Sequence, residues 1–361
     1  MLAGLVAGAA VLVLAASGAA PGDMAARAGT EPVVGGHVVV PTAPTAVAVS
    51  PDSRRVYVVN EGDEPEHVHV ITVIDAATLA VTASVKTCVG PVDIAAAGSN
   101  LLVACTGGQA LHVMDATTMT VLRSVDLGAD PRAIAMSPSG DVAYVLAYGA
   151  RSPKQVPALI VVDVLHGAVL DRVRVGVISR ALAISPDGRR AYVSNWGSES
   201  VTVINTRKRR VVETLDLGKT MPGALAVSPD GSRLLVNREN AGVPKPRILT
   251  VNTGSLDVVA AFRPGINVDA MAYNDTTMPV LGGYHSRGTL LLTAAEVDYE
   301  YAFAIIDLRT QRLLTSVSLD APCRGADGFI DLAIAPDQRR AYIVGECLGQ
   351  PGTLTAVDLP H

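Results

Sequence analysis

The chain has 361 residues, a formal net charge of −5, 17% charged residues, 33 glycines, 22 prolines and only 4% aromatic residues. Its mild acidity argues against a dedicated nucleic-acid binder, which carries a basic face. The length admits one large domain or two ordinary ones. Abundant Gly and Pro among many Val and Ala residues describe short strands separated by tight turns.

The first element is Leu2 to Ala16, an uncharged apolar run followed by small residues to Ala20 and ended by Pro21, Gly22 and Asp23. Residues 1–28 read as a secretory signal peptide, with small residues suited to cleavage after Ala19 or Ala28. They also read as an uncleaved membrane anchor, because the run is near the minimum for spanning a bilayer. No Lys or Arg precedes the run, which departs from the usual signal, and no Cys follows it, which argues against a lipoprotein.

Residues 29–361 are predicted to form one all-β domain. Val33 to Val40 is a spare strand at its start. Seven segments of one pattern follow: Pro44 to Asn60, Pro91 to Gly107, Pro131 to Gly149, Ser179 to Gly197, Pro222 to Asn240, Val268 to Glu296 and Phe329 to Glu346. Their spacing of roughly forty to sixty residues is that of propeller blades. Each reads as a hairpin. In the clearest copy Ala181 to Ile184 is a strand, Ser185-Pro186-Asp187-Gly188 is the turn and Arg190 to Asn195 is the return strand. The turn recurs at Ser50-Pro51-Asp52, Ser137-Pro138, Ser228-Pro229-Asp230 and Ala335-Pro336-Asp337. One position is Ala in all seven copies: Ala48, Ala95, Ala135, Ala183, Ala226, Ala272 and Ala333. A small side chain there suits innermost strands that converge on an axis.

A second strand pair follows each hairpin, as in Val201 to Ile204 and Val211 to Leu217. The seventh unit has one strand too few, Thr353 to Asp358, so Val33 to Val40 is expected to complete it. The predicted fold is therefore a seven-bladed β-propeller of four-stranded antiparallel blades, its ring closed by an N-terminal strand joining the last blade. Closure removes sheet edges and argues against two domains.

Tyr57-Val58-Val59-Asn60 and Tyr192-Val193-Ser194-Asn195, with weaker copies at Tyr144 and Tyr342 and the Ser-Pro-Asp-Gly turn before them, resemble the repeat of the YVTN-type (YncE-like) seven-bladed propellers. The resemblance covers essentially the whole chain after its apolar start. It implies an exported or surface protein and leaves the activity open, since related propellers include lactonases and redox-enzyme domains.

Four Cys allow three pairings. Cys88 and Cys323 each precede a first strand, and Cys105 and Cys347 each end the next strand. Repeat symmetry therefore predicts disulfides Cys88–Cys105 and Cys323–Cys347, which suit an oxidising, extracytoplasmic setting. The absence of a Cys-x-x-Cys pair argues against a Cys-based metal site.

Loops joining the second to the third strand, and blade to blade, share one face of a propeller, here called upper. At the channel mouth on that face Asp93, Arg132, Arg180 and Asp331 are candidates for a lactonase-like hydrolase: the arginines to polarise a carbonyl, the carboxylates to activate water. The alternative is that they are ring-closing ion pairs. His67 and His69 alternate on a strand and could share a metal with a carboxylate, or belong to a solvated acidic loop. Trp196, Arg238, Glu296 and Tyr299 are candidate ligand contacts. His112 and His166 fall at ordinary repeat positions. No nucleophile elbow, Cys–His pair or phosphate-binding glycine loop is present, and no cofactor is predicted. The arginines after the lower turns (Arg54-Arg55, Arg189-Arg190, Arg339-Arg340) stand beside Asp52, Asp187 and Asp337, which compensate them locally. The leading expectation is a monomeric, secreted or cell-envelope binding or scaffold module for a protein, glycan or small molecule, touching a membrane only through an uncleaved N-terminal segment. The alternatives are a lactonase-like hydrolase and a redox-accessory propeller.

Overall fold

The lower turns fold as their side chains dictate. In blade four the Ser185 hydroxyl donates to Asp187 Oδ1 at 2.6 Å, the same oxygen accepts the Arg189 N–H at 3.0 Å, and the Arg190 N–H donates to Ser185 Oγ at 2.9 Å. Ser50 with Asp52 and Ser228 with Asp230 repeat this network. The Ser50 hydroxyl and then the Arg54 amide hold the Asp52 carboxyl below its ordinary range. These aspartates therefore serve their turn amides first; Asp187 and Arg189, both largely exposed, are 3.8 Å apart, a pair worth little in water. The second hairpin turns open with Asp75, Asp115, Asp163, Asn205 or Asn252, whose side chains accept the N–H three residues on. One residue later the chain takes the left-handed conformation, at Leu79, Met119, Gly167, Arg209 and Leu256.

The computed structural model describes residues 32–62, 69–148, 156–218, 220–239, 247–262, 267–274, 290–297, 300–307, 312–319, 329–347 and 350–359. Its strands form seven four-stranded antiparallel sheets. Blade four, Ser179–Ile184, Arg190–Asn195, Ser200–Asn205 and Arg210–Asp216, has the order shared by the first six: four strands consecutive in sequence, the first innermost. The innermost strands of the others are Pro44–Val49, Pro91–Ala97, Asp130–Met136, Met221–Val227, Asn267–Asn274 and Phe329–Ile334. Each packs on the next, and Phe329–Ile334 packs back on Pro44–Val49. Blade seven takes its first three strands from Phe329–Ile334, Arg340–Cys347 and Gln350–Asp358, and its outer strand from Val33–Val40. That strand pairs antiparallel with Gln350–Asp358, from Val33 opposite Asp358 to Val40 opposite Gly352, with a bulge at Gly35. The bulge needs glycine: a Cβ on Gly35 would lie 2.6 Å from Asp358 Oδ2, and Asp358 is held at 2.6 Å by the Arg340 guanidinium.

The core lies between neighbouring blades. Val38 and Val40 bury themselves with Val47, Val49, Val344 and Tyr342 at the junction of blades seven and one. Tyr57, Tyr192 and Tyr342 are the largest fully buried side chains. Each stands two residues after an Arg in a recurrent clamp. Arg55 Nη1 and the Tyr57 hydroxyl both donate to the Ala116 carbonyl of blade two, at 2.9 and 3.4 Å. Arg340 Nη1 and the Tyr342 hydroxyl do the same to Ala76 of blade one, at 2.6 and 3.4 Å. Arg190 Nη1 donates to the Thr253 carbonyl of blade five. A turn carbonyl that faces the neighbouring blade is thereby satisfied. The recurrent alanine is buried where neighbouring blades meet, as a small side chain there allows: Ala48, Ala135, Ala183 and Ala333 each belong to a cluster that spans two blades. Ala48, Ala95 and Ala333 line an axial cavity of ≈ 220 Å³ with Ile94, Ile134 and Met136.

Cys88 and Cys105 form a disulfide with a Cα–Cα distance of 5.9 Å. Cys347 ends the second strand of blade seven, and the pairing of Cys323 with it lies outside the described residues. So do residues 1–28; among the described residues no helix is long and apolar enough to cross a membrane.

Candidate functional site

The innermost strand of each blade exposes an unpaired edge to the axis, so its N–H groups need acceptors. Two residues before the recurrent alanine, five blades carry Ala and blades two and seven carry Asp93 and Asp331. Both aspartates are fully buried. Asp93 accepts the N–H of Ile94 at 2.8 Å and, across to blade three, that of Ile134 at 2.6 Å. Asp331 accepts the N–H of Leu332 at 2.9 Å and, across to blade one, that of Val47 at 2.9 Å. These carboxylates staple one blade to the next.

Burial, and then the Asp331 charge, push the Asp93 carboxyl well above its ordinary 3.8, against the two amides that lower it. The folded value exceeds the unfolded one, so the stability this group confers is fully present below about pH 4 and is lost as pH rises through the folded value. Urea unfolding of the wild type and of Asp93→Ala, which carries the residue found in five blades, should therefore show the wild type losing ground to the variant as pH rises above about 4. A stability difference that does not change with pH would refute this assignment.

Arg132 and Arg180 have a different setting. In blade three the ladder register shifts between Pro131 and Ala133, leaving Arg132 unpaired as a bulge residue, and in blade four it shifts between Ser179 and Leu182, around Arg180. Bulges re-aim side chains, and here they turn both arginines towards the aromatic residue that ends the neighbouring strand run. The Arg132 guanidinium lies 4.6 Å from the Tyr148 ring centre and donates to its hydroxyl at 3.3 Å. The Arg180 guanidinium lies 5.1 Å from the Trp196 ring centre. The two pairs occupy the same repeat positions of adjacent blades. All four side chains are half-buried, and among the described residues neither arginine has a carboxylate partner. A guanidinium braced by its face on a ring, worth about 0.5–1 kcal/mol at an exposed site, keeps N–H edges that match a carboxylate or similar oxyanion.

The loop beside Trp196 is held in a costly conformation. Ile178 is β-branched yet has φ 53°, a conformation that such residues rarely adopt. The Trp196 N–H donates to the Ile178 carbonyl at 2.9 Å and the Gly197 N–H to the Val177 carbonyl at 3.0 Å. Val177 and Ile178 expose apolar side chains next to the pair.

The other candidates scatter. Arg238 bonds the Leu217 carbonyl at 3.1 Å, capping the loop before blade five. The His69 carbonyl accepts the Thr87 N–H; His67 lies outside the described residues. Glu296 pairs by backbone with Asn267 and Tyr301, its side chain undescribed, and Tyr299 lies outside the described residues. The paired Arg–aromatic geometry escaped the sequence reading, which took Arg132, Arg180 and Trp196 singly. Aligning the blades on their alanine would have put Arg132 with Arg180 and Tyr148 with Trp196.

No protein-family model matches the chain, and no curated protein sequence matches it. Among solved structures, hydrazine synthase of Kuenenia stuttgartiensis is similar, with a TM-score of 0.69 at 20% identity over 90% of this chain and 98% of the matched one. At that identity the likeness is one of fold, which leaves function to the site itself.

Proposed function

We propose that this is a non-catalytic binding module, a YVTN-type propeller working outside the cytoplasm, which captures an oxyanion-bearing ligand, a carboxylate above all, at the upper channel mouth of blades three and four. The observation that carries the reading is the repeated Arg–aromatic pair, Arg132 with Tyr148 and Arg180 with Trp196, with no carboxylate opposite either guanidinium among the described residues. Val177 and Ile178 offer an apolar body beside the charged edge. Against a hydrolase, Asp93 and Asp331 are sealed from solvent and committed to backbone amides, so neither meets a substrate as a base. The Cys88–Cys105 disulfide and the apolar start of the chain support an oxidising destination.

The full-length protein should gain thermal stability with a carboxylate-bearing ligand from a panel of carboxylates, sulfates, phosphates and lactones, because a ligand that binds only the folded state shifts unfolding by mass action. Each charge-assisted contact is worth about 1.5–3 kcal/mol, so Arg132→Ala or Arg180→Ala should weaken binding roughly 10–100-fold. Undiminished binding by the Arg132→Ala, Arg180→Ala double variant would reject the site, and turnover of a lactone would reject the non-catalytic reading.

A further inference from the structure

Three repeat positions meet at the upper rim of a blade: one in the loop before the innermost strand, one ending the second strand and one in the third strand. In blade one they hold Pro41, Asn60 and Thr72. Asn60 Nδ2 donates to the Pro41 carbonyl at 2.7 Å, and the Thr72 hydroxyl donates to Asn60 Oδ1 at 3.3 Å. In blade four they hold Gly176, Asn195 and Thr202. The Gly176 N–H donates to Asn195 Oδ1 at 3.1 Å, and Asn195 Nδ2 donates to Thr202 Oγ1 at 2.9 Å.

Blade two fills the same three positions with Cys88, Cys105 and His112. The register is the same: Cys105 opposes Ala110 and His112 opposes Val103, as Asn195 opposes Ser200 and Thr202 opposes Val193. The disulfide thus stands where the asparagine cap stands in blades one and four, and His112 stands where a threonine completes that cap. Unlike the threonines, His112 is unsatisfied there: its Nδ1 is sealed from solvent and makes no hydrogen bond. Both Sγ atoms and a His112 ring nitrogen lie within 4.8 Å of one another. Cys105 is fully buried, and Cys88 and His112 are half-buried at the rim.

We infer that, when the disulfide is reduced, Cys88, Cys105 and His112 form a binding site for a thiophilic divalent cation of the zinc class. A dithiol supplies the two electrons. The Cys88–Cys105 bond breaks, one S–S bond forms within the cyclised reductant, and its two thiol protons pass to the two cysteine sulfurs. Binding the cation then releases those two protons to solvent and leaves two thiolates and an imidazole as ligands. A tetrahedral ion with bonds of about 2.0–2.3 Å spans ligand atoms about 3.5–4 Å apart; the His112 ring nitrogen lies within 4.8 Å of both sulfurs, and the sulfurs, bonded to each other here, must separate to that distance once reduced. Three protein ligands leave the fourth position to water at the half-exposed rim, and two sulfurs with one nitrogen favour zinc or cobalt over hard cations such as magnesium. The same sulfurs make either the disulfide or the metal site, so the two states exclude one another.

Cobalt(II), added anaerobically to full-length protein reduced with a dithiol and then desalted, is the probe. The reduced protein should bind one equivalent with a near-ultraviolet thiolate-to-cobalt absorption, and the oxidised protein should show no such band. Cys88→Ser should lose the band. His112→Thr, which installs the residue of blades one and four and so preserves the fold, should weaken binding at least about tenfold, since loss of even an outer-shell partner costs ~10–100-fold. X-ray absorption of the loaded wild type should find two sulfurs and a nitrogen around cobalt. A reduced wild type without the band, a metal shell without sulfur, or unchanged affinity in Cys88→Ser or His112→Thr would each overturn the assignment.

Discussion

Deleting residues 1–40 should cost the protein about 3–6 kcal/mol of stability and promote edge-to-edge association. Val38 and Val40 lie fully inside the junction of blades seven and one, and burying a valine of this kind contributes about 1.5–3 kcal/mol. A loss of that size is a large part of the ~5–15 kcal/mol that holds a domain folded. The deletion also strips the outer edge of Gln350–Asp358, which Val33–Val40 covers by a ladder pinned at His37 Nδ1 to Thr355 Oγ1 at 3.1 Å. An uncovered edge is a template for another chain. Urea unfolding with light scattering checks both effects. Val40→Asp separates them, because it keeps the strand in place but charges the core, so stability should fall without edge-driven association. A truncated chain that scatters light as the wild type does and unfolds at the wild-type midpoint would show that the N-terminal strand is dispensable to the ring.

That strand is legible in the sequence, because a repeat count leaves a vacancy in the last blade and a spare strand at the other end of the chain. The blades were legible for the same reason: turn chemistry at Ser185-Pro186-Asp187 and the period-two apolar runs recur with one register. The Cys88–Cys105 pair followed from that register as well. What the sequence hid was the direction of side chains at the bulges. A bulge shifts the alternation of faces by one residue, so Arg132 and Arg180 cannot be assigned a face by counting, and their aromatic partners lie a whole hairpin away in sequence. Asp93 and Asp331 misled in the opposite way. As charged residues near a channel mouth they suggested chemistry, whereas their alignment with alanine in five blades marks a position that faces the neighbouring blade. A carboxylate there finds amide donors rather than water.

Tyr342→Ala should destabilise the protein by about 3–5 kcal/mol, the range for deleting a large buried aromatic side chain, while Tyr342→Phe should cost less than about 1 kcal/mol. Tyr342 is 1% exposed and fills the core between blades seven and one. Its hydroxyl reaches the Ala76 carbonyl at 3.4 Å, a long bond to an oxygen that already accepts from Arg340 Nη1 at 2.6 Å. Removing the hydroxyl therefore leaves no acceptor stranded, whereas removing the ring leaves a cavity at the one junction where the two ends of the chain meet. Denaturant unfolding of both variants separates packing from polar capture. If Tyr342→Phe cost as much as Tyr342→Ala, the tyrosine would be acting through its hydroxyl, and the arginine two residues before it could not substitute for that bond. The expected inequality would instead make Arg340 the polar half of the clamp and Tyr342 the apolar half. It would also explain why blade five, with Arg233 and Leu235 at these positions and Leu235 fully buried, keeps an apolar residue where blades one, three, four and seven carry tyrosine.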